Sequence, residues 1–170
     1  MKLHPKVESL LNQQINNEMF SSYAYLAMSA WFETTAFSGF TSWMRRQSEE
    51  ETLHAMKFYN HLIDRDGKVV LEAIEKPQTD FESPLAVFRA SLAQEQRVTS
   101  QIHAIYNAAE GARDHETKNF LNWFLDEQIE EEKSIKDVID RLELVGDDPT
   151  GLLRLDDEAM ERGAAEEEGA

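Results

Sequence analysis

RRQSEEETLHAMKF, residues 45–58, decides the reading of the fold. Taken in steps of three and four with its flanks, it gives Met44, Gln47, Glu51, His54, Phe58 and His61 on one line. That is the spacing of a helix seam packed against neighbours. The ends of the seam are apolar and its middle is not. Working outward, three more segments repeat the pattern. The first runs Val7, Leu11, Gln14, Glu18, Ser22, Tyr25, Ser29, Phe32. Another runs Leu85, Phe88, Leu92, Glu95, Thr99, Ile102, Tyr106, and the last Leu121, Phe124, Gln128, Glu131, Ile135, Val138, Leu142, Val145. No segment sustains a two-residue alternation, so no sheet is expected.

Breaks between the segments set the topology. Gly39 and Gly111–Asp114 leave only short connections, so the first and second segments, and the third and fourth, should form antiparallel pairs. The stretch from Gly67 to Pro84 is too long for a tight hairpin and can run the length of a bundle. The expectation is an all-α four-helix bundle over about 6–146 with one long crossover. Gly146-Asp147-Asp148-Pro149 stops the fourth helix, and a short fifth helix is expected over about 148–162, then a frayed acidic tail over 163–170. The whole is read as a single domain, which suits 170 residues.

Charge and composition narrow the function. Seventeen basic against 33 acidic residues give a net charge of −16. Such a polyanion repels phosphate backbones and attracts cations, so no nucleic-acid partner is expected. Cysteine is absent, which excludes disulfides, thiolate metal sites and iron–sulfur clusters. No apolar run reaches the roughly 18–20 residues of a membrane span, and the N-terminus has no signal-like apolar core. A cytoplasmic protein with no membrane partner is expected.

The polar middle of the seams carries the chemistry. Burying unpaired carboxylates is costly, and several together repel one another. Glu18, Glu51, Glu95 and Glu131 would supply a charge of −4, which two divalent cations neutralise. Spacing sharpens this. Glu18 and Glu51 lie 33 residues apart, as do Glu95 and Gln128; Glu18 and His54 lie 36 apart, as do Glu95 and Glu131. Two helix pairs therefore repeat one geometry: a ligand on the first helix, then two groups at i and i+3 on the second. That arrangement is the pattern of di-iron carboxylate bundles.

INNEMFSSYAYLAMSAWF (15–32), RRQSEEETLHAMKF (45–58), LAQEQRV (92–98) and NWFLDEQIEEEKS (122–134) together resemble the non-haem bacterial-type ferritins over about residues 5–162. The resemblance implies a ferritin-like fold and a hollow shell of 24 subunits that oxidises Fe²⁺, with dioxygen or peroxide as acceptor, and stores a ferric mineral. It implies one iron on Glu18, Glu51 and His54, and a second on Glu51, Glu95 and Glu131, with Glu51 bridging and Gln128 beside the second. It also implies a third, inner iron at Glu50, Glu127 and Glu130, and a role for Tyr25 near the metals. The fourth helix carries Q-x-x-E where bacterioferritins carry a second E-x-x-H, so a more loosely held second iron is expected. Thr52 stands where bacterioferritins place a haem-ligating Met, so no haem is expected.

Plainer readings stand beside these. The Glu49–Glu51 and Glu130–Glu132 runs could be solvated helix faces. Tyr25 could be a core tyrosine, and His61 reads as a core or interface histidine. Trp31, Trp43 and Trp123 read as packing residues. Three rival functions remain: a 12-subunit mini-ferritin, a rubrerythrin-type peroxidase and a metal-free bundle. The mid-helix ligands disagree with the first, and the lack of cysteine disagrees with the second.

Overall fold

The computed structural model describes the backbone of residues 3–169 and the side chains of residues 3–161. Five helices follow in order: α1 Pro5–Phe32, α2 Ser38–Asp64, α3 Pro84–Ala112, α4 His115–Val145 and α5 Pro149–Gly169. The described residues contain no strand. Local chemistry explains the starts. Pro5 and Pro84 open α1 and α3, where a missing N–H costs nothing. His4, Ser83 and Asp114 accept hydrogen bonds from the backbone N–H groups of Lys6, Ala86 and Thr117. Arg113 ends α3 in the left-handed conformation, φ 56°.

α1 packs chiefly on α2, α3 on α4, and α1 on α3. The connection over residues 65–83 runs beside α1 and is tied to it. Asn12 donates to Lys68 O at 2.9 Å and accepts from Val70 N at 2.7 Å, while Glu8 accepts from Lys68 N at 2.8 Å. This is the long crossover of the expected bundle.

α2 lacks a capping side chain of its own at Phe37. Asp156 of α5 caps it instead. Its buried carboxylate accepts from Gly39 N at 3.0 Å and Phe40 N at 2.7 Å. Glycine is required at 39, because a Cβ there would stand 1.8 Å from the Asp156 carbonyl oxygen. The fifth helix differs from expectation in length. It continues to Gly169 rather than ending near Arg162, because Ala164, Ala165 and Glu166–Glu168 are strong helix formers. The side chains of the expected acidic tail lie outside the described residues.

The core is split in two. One apolar cluster joins Val7, Leu11, Ile15, Phe58, Leu62, Ile102, Ile105, Leu121 and Phe124. A second joins Tyr25, Met28, Phe32, Phe40, Met44, Phe88, Ile135 and Leu142. Between them, at mid-bundle, lie the buried polar side chains Gln14, Glu18, Gln47, Glu51, His54, Gln94, Glu95, Gln128 and Glu131.

Candidate metal centre

Each of the first four helices delivers its polar group to this layer because its seam turns inward there. Glu18 and Glu95 are 0% exposed, Glu51 is 1%, and Glu131 is 8%. Among the described residues, Glu18, Glu51 and His54 form the one group of three metal-binding side chains whose ligand atoms all lie within 4.8 Å of one another. His54 Nδ1 lies 3.3 Å from Glu51 Oε2. Glu95 and Glu18 both stand close enough to Glu51 to raise its carboxyl by like-charge repulsion. Glu18 Oε2 is buried with no hydrogen-bond partner.

Three glutamines hold the carboxylates in place. Gln14 Nε2 donates to Glu18 Oε1 at 2.9 Å, and Gln47 Nε2 to Glu131 Oε2 at 2.8 Å. Gln128 Nε2 donates to Glu95 Oε2 and to Glu95 O, both at 3.2 Å. Tyr25 donates its hydroxyl to Glu95 Oε1 at 2.5 Å and accepts from Ser91 at 2.9 Å. Gln14 and Gln47 appeared in the sequence seams but carried no assignment. The signal was present: an amide one helical turn from an inward carboxylate is a ready donor to it or to its neighbour.

Burial dominates the electrostatics. It pushes the Glu18 carboxyl up to about 7 and Glu131 up to about 8, with Glu95 adding repulsion in both cases. Glu51 is raised well above the usual carboxylate range, by burial first and then by Glu95 and Glu18. Glu95 is also raised by burial, against the hydrogen bonds from Tyr25 and Gln128. Burial and nearby Lys57 lower His54 to about 4, so its imidazole is neutral. The Tyr25 phenol is held protonated by burial and by the surrounding carboxylates. Without a cation, then, the cluster retains protons near neutrality. An orphaned carboxylate oxygen, a neutral imidazole and carboxyls that ionise only reluctantly make a donor set that could hold a cation.

Glu50, Glu127 and Glu130 do not join the compact group. They line a separate pocket of about 230 Å³ between α2 and α4, together with Trp43, Arg46, Gln47, Glu131 and Ser134. Glu131 thus belongs to both the buried layer and the pocket wall. The Glu127 carboxyl is raised by partial burial and by Glu130. Other assignments resolve as packing. His61 stacks on Phe120 with ring centres 4.1 Å apart and bonds Thr117 Oγ1 at 3.0 Å. Trp123 is 41% exposed; it sets its edge against His54, with Lys57 Nζ 3.7 Å from its centre. Thr52 uses its hydroxyl on Ser48 O and Ser22.

The family model for the ferritin-like domain matches residues 8–145. This chain belongs to the ferritin family. It is 37% identical over 165 residues to the bacterial non-heme ferritin of Staphylococcus epidermidis, covering 97% of this chain and 99% of that one. The bacterial non-heme ferritin of Staphylococcus aureus is 39% identical over 157 residues, covering 92% and 95%. Among solved structures, the open-pore ferritin of Archaeoglobus fulgidus superposes with a TM-score of 0.92 at 41% identity, covering 94% of this chain and 98% of that one. The all-α four-helix bundle read from the seams, and the ferritin-like fold that the resemblance implied, are therefore the fold observed. No described helix of this ferritin is long and apolar enough to cross a membrane.

Proposed function

We propose that this ferritin is an iron-storage protein with ferroxidase activity, oxidising Fe²⁺ at a di-iron site inside each subunit and depositing ferric mineral within a shell of 24 subunits. Fe²⁺ is the substrate and cargo. One ion is held by Glu18, Glu51 and His54; the other by Glu51, Glu95 and Glu131, with Gln128 beside it. The observation that carries this reading is the buried group of Glu18, Glu51 and His54, whose ligand atoms all lie within 4.8 Å of one another, with Glu18 Oε2 unpartnered. Hard oxygen donors and one imidazole suit Fe²⁺ and favour Fe³⁺ still more.

The reaction balances. Two Fe²⁺ ions lose one electron each; dioxygen gains two electrons and two protons and leaves as hydrogen peroxide. Peroxide is the alternative acceptor. Tyr25, hydrogen-bonded to Glu95, positions that ligand and is placed to donate a hydrogen bond or an electron. The second ion lacks an imidazole and exchanges toward the α2–α4 pocket, where Glu50, Glu127 and Glu130 hold a third iron beside Glu131. Thr52 offers no thioether, so haem takes no part. The protein works in the cytoplasm, with neither nucleic acid nor membrane as partner.

The test is aerobic addition of Fe²⁺ to the assembled protein. Fast colour development saturating at two Fe²⁺ per chain is expected, and Glu51→Ala should abolish it while the shell still assembles. Oxidation at the parental rate in that variant would contradict the site. Sedimentation separates 24 subunits from 12.

A further inference from the structure

Two cavities reach the carboxylate layer, one on each side of α4. The pocket between α2 and α4 is walled by acids and includes Glu131. The other, about 390 Å³, lies between α3 and α4 and includes Gln128. Gln128 and Glu131 share the inward face of α4, and each also lines one of the two cavities. The two are chemically unlike. Ile102, Leu125 and Ile129 give the α3–α4 groove walls that are mostly apolar, with His103 also on its lining. Its acid, Glu132, accepts a hydrogen bond from Thr99 at 2.6 Å. Thr99 in turn lies 3.3 Å from Gln128 Nε2, and Gln128 reaches Glu95. The groove therefore ends on a hydrogen-bonded row that stands directly against a carboxylate of the buried layer.

We propose that the α3–α4 groove is the portal by which dioxygen reaches this layer, separate from the acidic α2–α4 mouth that serves the cation. The proposal rests on the ferroxidase reading and adds the route of its second substrate. A field of like-signed carboxylates raises the local concentration of divalent cations and does nothing for a neutral diatomic. Apolar walls do the reverse: they favour a molecule that water solvates poorly and offer nothing to a hydrated ion. Two portals also let oxidant arrive while iron occupies the acidic mouth. Gln128, 4% exposed, closes the floor of the groove, so dioxygen passes the amide to meet the metals on the Glu95 side.

The absence of cysteine makes a clean test. Ile129, 68% exposed on the groove wall, is changed to Cys and the assembled protein is treated with a bulky maleimide. Leu144→Cys, at a position 88% exposed and away from the groove, is the labelled control. Labelling Ile129→Cys should lower kcat/KM for dioxygen by about threefold or more, with kcat at saturating dioxygen kept. Anaerobic Fe²⁺ stoichiometry should not change. Nor should the rate with hydrogen peroxide, which hydrogen-bonds and gains nothing from apolar walls. Labelling Leu144→Cys should change none of these. An unchanged dioxygen dependence overturns the portal, as does an equal loss with peroxide, or failure of the new thiol to react. If the unlabelled parent oxidises no Fe²⁺ at all, the ferroxidase reading itself falls and the portal with it.

Discussion

Loading the cluster with Fe²⁺ under anaerobic conditions should expel protons, and the number follows from the carboxyls one by one. At about pH 6.5, a carboxyl with its midpoint near 7 is about three-quarters protonated, and one near 8 almost fully. Glu18 and Glu131 are those two groups. Glu51 is raised as well, by burial and by Glu95 and Glu18, and contributes in the same direction. His54, lowered to about 4, is already neutral and adds none. Two bound ions require all of these carboxylates ionised, so Glu18 and Glu131 alone should release about two protons per chain. A pH-stat titration, or calorimetry in buffers of different ionisation enthalpy, measures it directly. Excluding oxygen matters, because hydrolysis of ferric ion releases further protons. Glu51→Gln should lower the count. Release of less than one proton by the parent would refute the account, since it would mean that the buried carboxyls are already ionised.

The same carboxyls make stability depend on pH in the absence of metal. Their midpoints are raised on folding, so their stabilising contribution is complete below about 4.5 and is lost as pH rises through about 8; Glu131 alone accounts for about 5 kcal/mol of that loss. Denaturant unfolding of the metal-free protein should weaken across this window, and Fe²⁺ should restore it; a flat profile would oppose the assignment. Tyr25→Phe removes the donor to Glu95 and the acceptor for Ser91, and should cost about 1–3 kcal/mol in denaturant unfolding and slow oxidation. An unchanged oxidation rate would reduce Tyr25 to a packing residue. Asp156→Ala uncaps α2 and should release α5, detected as faster proteolysis beyond Val145 with the α1–α4 bundle intact. Gly39→Ala should do the same by pushing on the Asp156 carbonyl; resistance in both variants would show α5 is held by its apolar contacts instead.

The bundle was legible because its seams are regular. The alternation of three and four placed Glu18, Glu51, His54, Glu95, Gln128 and Glu131 together with no structural input, and all six are buried in one layer. The seams alone, however, name only part of the interior. Ile15, Met28, Val87, Val98, Ile105 and Ile139 are also buried, since a helix touching two neighbours hides a stripe wider than two positions per turn pair. What stayed illegible was contact made at a distance in sequence. The cap on α2 comes from Asp156, 116 residues beyond Phe40, and no local motif announces it. The full length of α5 is illegible because a terminal acidic run reads as a frayed tail, whereas Ala and Glu also favour helix. The glutamine donors were visible as residues but not as partners, because which carboxylate an amide reaches depends on the offset between helices.

The polar layer is a conflict between folding and function that the two apolar clusters resolve. Phe58 and Phe124, with ring centres 4.3 Å apart, close one side of it, while Phe32, Phe40 and Phe88 close the other. Those aromatic cores fix the helices independently of whether the layer between them is favourable. Glutamine donors then satisfy one oxygen on each of Glu18, Glu95 and Glu131, which keeps the side chains aimed inward without neutralising them. A protonated, fully hydrogen-bonded network would be more comfortable still, yet Glu18 Oε2 has no donor at all. An oxygen left bare at the centre of so well-supplied a layer makes sense when its partner is a cation, because any protein donor placed there would compete with the ion for the same lone pairs.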